Sequence, residues 1–220
     1  MTTLLIISDI HGRLGHIRAL ARVQGPIDGL IVAGDLTDFG NMAAAARLTD
    51  TLKQVCETIA VVPGNCDTHD VQLLLEAEQI GVHGQCKRIA GLDWIGIGGV
   101  LPDPIHPPND AGENAGTTLL DQGLSAHSPD VPLCVLSHQP AFGTRLDSLS
   151  PGRHTGSRAI RSFIETHAPL LAVSGHIHDA MGTDRIGRTT LVNPGPLKQG
   201  FYAVVFLDQD HVQEVRFHRL

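Results

Sequence analysis

Five short apolar runs constrain the fold of this chain, because each run ends at a side chain of a kind that binds metal ions. Runs of about four to eight apolar residues bounded by Gly or Pro are typical of strands buried on both faces. In layered α/β proteins, ligands bind just beyond the carboxyl ends of such strands. We therefore predict that these polar side chains converge at one rim of one sheet. The runs cover residues 4–8, 30–34, 59–64, 133–137 and 170–175 and lead into Asp9, Asp35, Asn65, His138 and His176.

Two further histidines bring the set to seven oxygen and nitrogen donors. His11 follows Asp9 after one intervening residue, and His178 follows His176 in the same way. Two divalent ions about 3.5–4 Å apart can clamp a phosphoryl group and generate hydroxide at neutral pH. Such a site needs a bridging carboxylate, oxygen donors and imidazoles, with open positions for water and substrate. The donor set therefore predicts a metal centre that holds two ions.

Two further features agree with this prediction, namely the glycines that precede three of the donors and the net charge that two bound ions would leave at the site. A glycine precedes Asp35, Asn65 and His176, and glycine lets a chain turn sharply off a strand and bring its backbone close to a ligand. Two divalent cations less the carboxylates of Asp9 and Asp35 leave about two positive charges, or one after hydroxide binds. A centre of that charge suits phosphate esters, whether diesters or monoesters.

Composition limits the remaining classes of protein. A chain of 220 residues suits one full-sized domain, and we predict a single domain over residues 1–220. A formal net charge of −7 makes long nucleic acid an unfavourable partner. A strand predicted almost at Met1 leaves no room for a signal peptide, and no apolar run approaches membrane-spanning length. Four cysteines without C-x-x-C spacing indicate reduced thiols, so we expect a cytoplasmic protein with no membrane partner.

The order of the predicted elements indicates an α/β fold. The first half alternates strands with helices expected over residues 14–23, 41–55 and 67–79, with Asn41 as an N-cap. Later helices are expected over residues 113–126 and 157–167, and irregular segments over residues 100–116 and 140–156. Strands are expected around Gly91 and, in the tail, over residues 190–192, 202–207 and 211–217, the last two forming a hairpin. Two facing sheets with helices outside fit this order.

The donor motifs, in this order, resemble those of the calcineurin-like metallophosphoesterases. The resemblance extends from Asp9 to the Asn193-Pro194-Gly195 segment and covers nearly the whole chain. It implies a four-layer α/β/β/α sandwich of two mixed sheets flanked by helices. It also implies hydrolysis of phosphate esters by a metal-bridging hydroxide at a dinuclear centre. Members of the family use manganese, iron, zinc, nickel or cobalt, and we favour manganese here.

The resemblance also implies a ligand set for each ion. The first ion would be bound by Asp9, His11, Asp35 and His178. The second would be bound by Asp35, Asn65, His138 and His176, so that Asp35 bridges the two ions. His138 would in addition lie near the charge that develops at phosphorus.

One motif departs from the family pattern. The usual motif is Gly-Asn-His-Asp or Gly-Asn-His-Glu, and its histidine stabilises the transition state or protonates the leaving group. This chain has Cys66 at that position, and a cysteine cannot match the charge of an imidazolium. A branch of small bacterial and archaeal members carries the same Gly-Asn-Cys-Asp motif, and the resemblance implies phosphodiesterase activity. The candidate catalytic residues are Asp35, Asn65, Cys66, Asp67 and His138.

Three side chains near the motifs have two interpretations each. Asp38 is either a solvated loop acid or a partner that fixes the orientation of a ligand. Asp67 is either the N-cap of the next helix, which we favour, or a residue that orients Cys66. His69 is interpreted as an exposed residue at a helix start rather than as a replacement for the missing imidazole. Cys66 itself is interpreted as a small side chain beside the ions rather than a nucleophile.

The substrate-binding candidates lie in the two irregular segments. His106 is expected in a wall of the substrate site, with an ordinary surface loop as the alternative. Arg145, Arg153 and His154 precede a helix start near Ser157, where cations and the helix N-terminus could bind phosphate. A solvated loop is the alternative for these three residues.

We expect a hydrolase that acts on a small phosphate ester or a nucleotide, and we favour a phosphodiester as its substrate. Phosphomonoesterase or pyrophosphatase activity is the alternative within enzymes. The scaffold subunit of retromer resembles this fold and acts as a binding module, so a non-catalytic scaffold is the alternative outside them. The completeness of the donor set favours the enzyme, while the oligomeric state, including a homo-oligomer, stays open.

Overall fold

The computed structural model describes residues 1–23, 25–101, 110–150, 152–208 and 210–220. Within these residues the chain forms thirteen strands and five α-helices. The strands are β1 (Thr2–Ile7), β2 (Gly29–Ala33), β3 (Ile59–Val62), β4 (Cys86–Ile89), β5 (Leu92–Ile97), β6 (Leu133–Ser137), β7 (Ser148–Ser150), β8 (Arg153–His154), β9 (Leu171–Val173), β10 (Gly182–Ile186), β11 (Thr189–Asn193), β12 (Phe201–Leu207) and β13 (Val212–Arg219). The helices are α1 (Leu14–Val23), α2 (Met42–Val55), α3 (His69–Ala77), α4 (Asp110–Leu124) and α5 (Arg158–His167).

Two mixed sheets contain eleven of these strands. The first sheet has the order β13-β12-β1-β2-β3, and the second has the order β10-β11-β9-β6-β5-β4. Strands β1, β2 and β3 are parallel, as are β5, β6, β9 and β11. Antiparallel pairing occurs toward the edges. It involves the last two strands on one side of the first sheet, β12 and β13, and the two edge strands of the second, β4 and β10.

Alternate residues of each strand pack into different layers. Leu4 and Ile6 of β1 lie in the core between the two sheets, together with Trp94 of β5. Leu5 and Ile7 face the other way and pack in a cluster with side chains of α1, α2 and α3. A third cluster joins β5 and β6 to α4 and α5. The period of two along each strand therefore produces four layers, and the predicted α/β/β/α sandwich is confirmed.

The predicted elements are largely confirmed, with three corrections. The first is that α4 begins at Asp110, within the segment of residues 100–116 that was predicted to be irregular. Helix α1 has the predicted bounds, and the Asn41 side chain caps α2 by accepting a hydrogen bond from the Ala44 N–H at 3.0 Å. The prediction of an irregular segment over residues 140–156 is wrong in part, because it contains a 3-10 turn at Arg145–Asp147 and the hairpin β7–β8. Strand β10 was not predicted. These short, partly exposed elements carry little hydrophobic periodicity, which is the signal that sequence patterns depend on.

Both sheets supply the loops that carry the seven donors. The N–H of Asp9, after β1, donates to Gly34, after β2, and the N–H of Gly175, after β9, donates to His138, after β6. His138 Nδ1 lies 2.7 Å from the carbonyl oxygen of Ala33, which links the second sheet to the first. The prediction of one rim of one sheet is therefore wrong. The donors converge where the carboxyl ends of strands from two facing sheets meet.

No helix in the described part of the chain has the length and apolar character needed to cross a lipid bilayer.

Candidate metal centre

The seven predicted donors form one continuous cluster. His178 Nε2 lies 3.1 Å from Asp9 Oδ1, and the two oxygens of Asp35 lie 3.5 Å from His11 Nε2 and 3.5 Å from His138 Nε2. Asn65 Oδ1 is 3.0 Å from His138 Nε2. The His176 ring packs edge-on against that of His138, with ring centroids 5.1 Å apart. Residues up to 169 positions apart in sequence, such as Asp9 and His178, therefore meet at one point.

Two subsets of the cluster are compact enough to hold an ion. The ligand atoms of Asp9, His11 and His178 lie within 4.8 Å of one another, and so do those of Asp9, Asp35 and His138. The first subset reproduces three of the four ligands expected for the first ion, and the second subset contains two of those expected for the second. His176 lies beside these subsets and not within either of them.

Four donors have a backbone conformation that non-glycine residues seldom adopt. The φ angles are 54° at Asp9, 45° at His11, 51° at Asp35 and 68° at His176. A positive φ costs a non-glycine residue about 1–3 kcal/mol and persists only where the surrounding structure imposes it. Such strain concentrates at functional sites, and four of the eight non-glycine residues with positive φ in the described part of the chain are predicted donors.

The glycines beside the donors are required by close approach. A Cβ at Gly64 would lie 2.0 Å from Asp35 Oδ1 and 2.3 Å from the Asp35 backbone nitrogen. A Cβ at Gly34 would lie 2.5 Å from His138 Nδ1. The absence of a side chain at these positions is what lets the loops of the two sheets pack tightly enough to bring their donors together.

Several donor atoms of the cluster direct lone pairs toward one another, an arrangement that a bound cation would stabilise. His138 is fully buried, and its Nδ1 contacts the carbonyl oxygen of Ala33, which identifies Nδ1 as the protonated nitrogen. Its Nε2 lone pair then faces the oxygens of Asn65 and Asp35, so that three acceptors meet without a hydrogen. His11 Nε2 is also buried and has no hydrogen-bond partner within the described residues. A metal ion at this point would satisfy these lone pairs, and the residues present therefore fit one.

Electrostatics keep two of the donors in the protonation state that binds metals. Burial raises the pKa of Asp9, but its contacts with His178, His138 and Ser8 outweigh burial and bring the pKa below its ordinary value. Burial and the neighbouring His138 lower the pKa of His176 to about 4. At neutral pH, Asp9 is therefore ionised and His176 is neutral, with a lone pair available.

Two supporting residues were missed by the sequence analysis. The Ser8 hydroxyl donates to Asp9 Oδ2 at 2.6 Å and so holds that carboxylate from the side opposite His178. The Asn193 amide donates to the carbonyl oxygen of Ile177, which lies between the two terminal histidines, at 2.9 Å. The position of Ser8 beside Asp9 and that of Asn193 in Asn-Pro-Gly were signals that could have identified them.

Asp67 fastens two donor loops together. Its carboxylate accepts hydrogen bonds from the N–H groups of Gly64, Leu36 and Thr37 and from the Thr37 hydroxyl, at 2.8–3.0 Å. The N-cap of α3 is Thr68, so the prediction that Asp67 is the N-cap is wrong. The backbone donors of the preceding loops hold its carboxylate away from the helix end.

The structure shows the surroundings of Cys66, Asp38 and His69, each of which had two interpretations from the sequence. Burial and the nearby Asp35, Asp38 and Asp67 carboxylates raise the pKa of the Cys66 thiol to about 12, which leaves it neutral. Asp38 is an exposed acid whose Oδ1 lies 3.7 Å from His11 Nδ1, beyond hydrogen-bond distance. His69 is exposed at the first position of α3, as predicted.

Two parts of the predicted phosphate-binding group, the N-terminus of α5 and His154, already have acidic partners within the protein. The N-terminus of α5 is already occupied by the Glu113 carboxylate, which accepts hydrogen bonds from the Arg158 and Ala159 N–H groups at 3.1 and 2.7 Å. His154 Nδ1 lies 2.7 Å from the buried carboxylate of Asp147. The backbone N–H of Arg145 donates to Asp184, while the residues Arg145 and Arg153 are both exposed, so a role of their guanidinium groups in phosphate binding stays a prediction. His106, expected in the substrate wall, lies outside the described residues.

A cavity of about 660 Å³ opens elsewhere on the molecule. It is lined by residues at the amino ends of strands, including Leu133, Arg188 and Val212, and by none of the predicted donors. Ligands of parallel sheets bind at the carboxyl ends of strands, so this cavity is not the metal centre.

Comparison with known proteins agrees with the motifs and the geometry. The sequence profile of the calcineurin-like phosphoesterases matches residues 2–180. The chain belongs to this family. An uncharacterised protein of Methanocaldococcus jannaschii is 31% identical over 198 residues, which cover 86% of each protein.

Solved structures show how widely the fold of this calcineurin-like phosphoesterase is shared. The TT1561 protein of Thermus thermophilus superposes with a TM-score of 0.74 at 20% identity, over 99% of this chain and 98% of that one. An archaeal phosphodiesterase superposes with a TM-score of 0.56 at 13% identity, over 100% of both chains. The family is one of metal-dependent phosphoesterases, and the described residues of this chain include groups of side chains that could hold a metal ion.

Proposed function

We propose that this calcineurin-like phosphoesterase is a phosphodiesterase that works with two divalent metal ions, manganese being favoured. The ligands would be Asp9, His11, Asp35 and His178 for one ion and Asp35, Asn65, His138 and His176 for the other. The placement of Asp35 is the observation that carries this proposal. Its two carboxylate oxygens lie at the same distance from two different imidazoles, which supports a ligand shared by two ions.

The surroundings of Asp35 support the bridging role. The carboxylate is 3% exposed, and Oδ1 accepts a hydrogen bond from the Cys66 N–H at 2.8 Å, which fixes its orientation. Its backbone carbonyl accepts from the His11 N–H at 2.9 Å, so the two proposed ligands are linked by main chain as well. A carboxylate held in this way keeps both oxygens directed into the cluster.

Each proposed ligand has a role that follows from its contacts. The Ala33 carbonyl sets the tautomer of His138 so that Nε2 presents its lone pair to the centre. Ser8 and the His176 N–H hold Asp9 Oδ2, which leaves Oδ1 directed toward His178. When bound, two divalent ions would supply a nucleophile from water at neutral pH and offset the charge that develops on the phosphoryl group.

The uncharged side chain of Cys66 supports the proposal that the substrate is a phosphodiester rather than a phosphomonoester. Its thiol is neutral, since burial and the nearby Asp35 raise its pKa to about 12, and it adds no positive charge to the site. A monoester carries almost two negative charges at neutral pH, and a diester carries one. Without an imidazolium at position 66, the additional charge of a monoester finds no partner there, and a leaving group of high pKa finds no acid.

The charge of the chain bears on the size of the substrate. We expect a small phosphodiester or a nucleotide as substrate, because the chain carries a net charge of −7 that disfavours long nucleic acid. A cytoplasmic location stays a prediction from the sequence, and the oligomeric state, including a homo-oligomer, stays open.

Hydrolysis of bis(p-nitrophenyl) phosphate by chelator-stripped protein, with and without manganese, tests the proposal. We expect metal-dependent cleavage that Asp35→Asn reduces by at least about 100-fold, since that change removes one oxygen ligand from the proposed bridge. Asp50→Asn, on the exposed face of α2, is the matched control and should retain full activity. The monoester p-nitrophenyl phosphate should be cleaved more slowly than the diester.

Three results would contradict parts of the proposal. Equal loss of activity in Asp50→Asn would show that the assay responds to general destabilisation. Faster cleavage of the monoester would favour the phosphomonoesterase alternative. Inactivity of folded protein on both substrates with manganese, nickel, cobalt and zinc would favour a scaffold.

A further inference from the structure

A second group of donors lies on the outer side of the proposed centre. His11, Asp38 and Cys66 each offer one ligand atom, and these atoms lie within 4.8 Å of one another. Asp38 has a side chain that is 71% exposed, and Cys66 is partly exposed, so the group is open to solvent. Neither Asp38 nor Cys66 belongs to the ligand sets proposed above.

We propose that His11, Asp38 and Cys66 form an outer binding site for a thiophilic divalent cation such as Zn²⁺ or Cd²⁺. The site would use the thiolate sulfur of Cys66, the carboxylate of Asp38 and one ring nitrogen of His11. This inference rests on the proposed function in one respect only, because His11 is also a proposed ligand of the inner centre.

The geometry of the three residues suits such a cation. Zinc binds sulfur at about 2.3 Å and nitrogen or oxygen at about 2.0–2.2 Å, which places the donors of a tetrahedral site about 3.3–3.8 Å apart. The main chain fixes two of the three donors, because the N–H groups of His11 and Cys66 both donate to Asp35. The exposed Asp38 is free to rotate toward them, so donors already within 4.8 Å need only small side-chain movements.

The sulfur ligand decides which cations the outer site selects. Thiolates bind zinc and cadmium strongly, whereas manganese and magnesium favour oxygen ligands. Binding breaks the S–H bond of Cys66, releases its proton to solvent and forms a sulfur–metal bond, without any change of oxidation state. The site therefore depends on the cysteine that replaces the family's usual histidine.

Sharing of His11 couples the outer site to the inner one. A neutral imidazole has one nitrogen lone pair, so His11 cannot bind an inner ion and an outer ion at the same time. Cation binding at the outer site would withdraw His11 from the first inner ion. Excess zinc should therefore inhibit the manganese-supported activity of the natural protein more strongly than that of Cys66→Ser, each relative to its own zinc-free rate, because zinc that displaces manganese from the inner centre affects both proteins alike.

Cobalt substitution tests the outer site without reference to catalysis. Co²⁺ bound to a thiolate gives a sulfur-to-cobalt charge-transfer band in the near ultraviolet, while Co²⁺ bound to oxygen and nitrogen gives only weak visible absorption. The charge-transfer band should appear on titration of the full-length protein and vanish in Cys66→Ser. Asp38→Asn should weaken the binding that produces this band by at least about tenfold, since it removes one anionic ligand.

Cys56→Ser is the matched control, because Cys56 is also a free, partly exposed cysteine but lies at the end of α2. This variant should keep the full charge-transfer band. A band that persists in Cys66→Ser would overturn the outer site. Visible cobalt absorption without the near-ultraviolet band would overturn the outer site alone, and absence of any cobalt absorption would overturn the proposed metal centre as well.

Discussion

Replacement of Gly64 by alanine tests whether the tight packing of the loops is needed for both folding stability and metal binding. Gly64 precedes the proposed ligand Asn65, and its new Cβ would lie 2.0 Å from Asp35 Oδ1 and 2.3 Å from the Asp35 backbone nitrogen. Ordinary contacts of a Cβ begin at 3.4 Å, so the two loops would have to separate by 1.1 to 1.4 Å. The backbone atom cannot rotate away, and the whole loop must therefore move.

The size of that movement sets the expected effect. Overpacking of a well-packed region costs about 1–3 kcal/mol of folding free energy. Metal ligands tolerate displacements of only about 0.2 Å, so a movement of more than 1 Å would remove Asn65 or Asp35 from one ion. We expect Gly64→Ala to lose about 1–3 kcal/mol in unfolding free energy and to bind manganese at least about 100-fold more weakly.

Gly175 and Gly15 provide a rescue and a control. A Cβ at Gly175 would lie 1.7 Å from Ser8 Oγ and 2.8 Å from Ser8 Cβ, which are side-chain atoms. Ser8→Gly removes both atoms, so it should partly restore folding to Gly175→Ala, whereas no side-chain change can relieve Gly64→Ala in full. Gly15 in α1 has no atom within 4 Å of its Cβ position, and Gly15→Ala should be neutral or stabilising by up to about 1 kcal/mol.

Urea denaturation of the metal-free variants and calorimetric titration with manganese measure the two quantities. The fluorescence of the single tryptophan, the fully buried Trp94, reports unfolding. Wild-type manganese affinity and unchanged stability in Gly64→Ala would refute the reasoning, because the loops would then have room that the structure denies. Loss of stability with retained affinity would show that the centre tolerates loop displacement.

Three further predictions follow from individual side chains. Burial and His138 hold the pKa of His176 at about 4, against an ordinary value of 6.5, so the unfolded chain takes up a proton between these values that the folded chain does not. The unfolding free energy of metal-free protein should therefore rise from pH 4 to pH 6.5 by about 1–3 kcal/mol more than that of His176→Gln, and equal slopes in denaturant titrations would disprove this. Asp67→Asn places an amide against backbone N–H donors and should cost about 1–3 kcal/mol in the same titrations, while a cost below about 0.5 kcal/mol would show that the loops hold without it. Cys66→His should raise the rate on p-nitrophenyl phosphate relative to the diester by about tenfold or more, and an unchanged ratio would show that residue 66 does not set the preference.

Much of the fold followed from local patterns. Apolar runs with flanking Gly and Pro located the central strands, and the cap at Asn41 marked the start of α2, because both signals arise from neighbouring residues. The hairpin β7–β8 and strand β10 were not predicted, since they depend on partners such as Asp147 and β11 more than on their own sequence. Helix α5 was predicted, but the occupation of its N-terminus by Glu113 from α4 was not.

The sequence by itself singled out the seven candidate metal ligands, because each donor lies at or near the end of its own strand and the order of motifs is readable along the chain. Tertiary structure alone decided how they meet. The donors come from two sheets rather than one. The two oxygens of Asp35 face different histidines, and Asp67 links two loops by hydrogen bonds. Each of these features joins residues that are distant in sequence. Such contacts depend on how strands from separate sheets pack, and no local pattern of side chains records that packing.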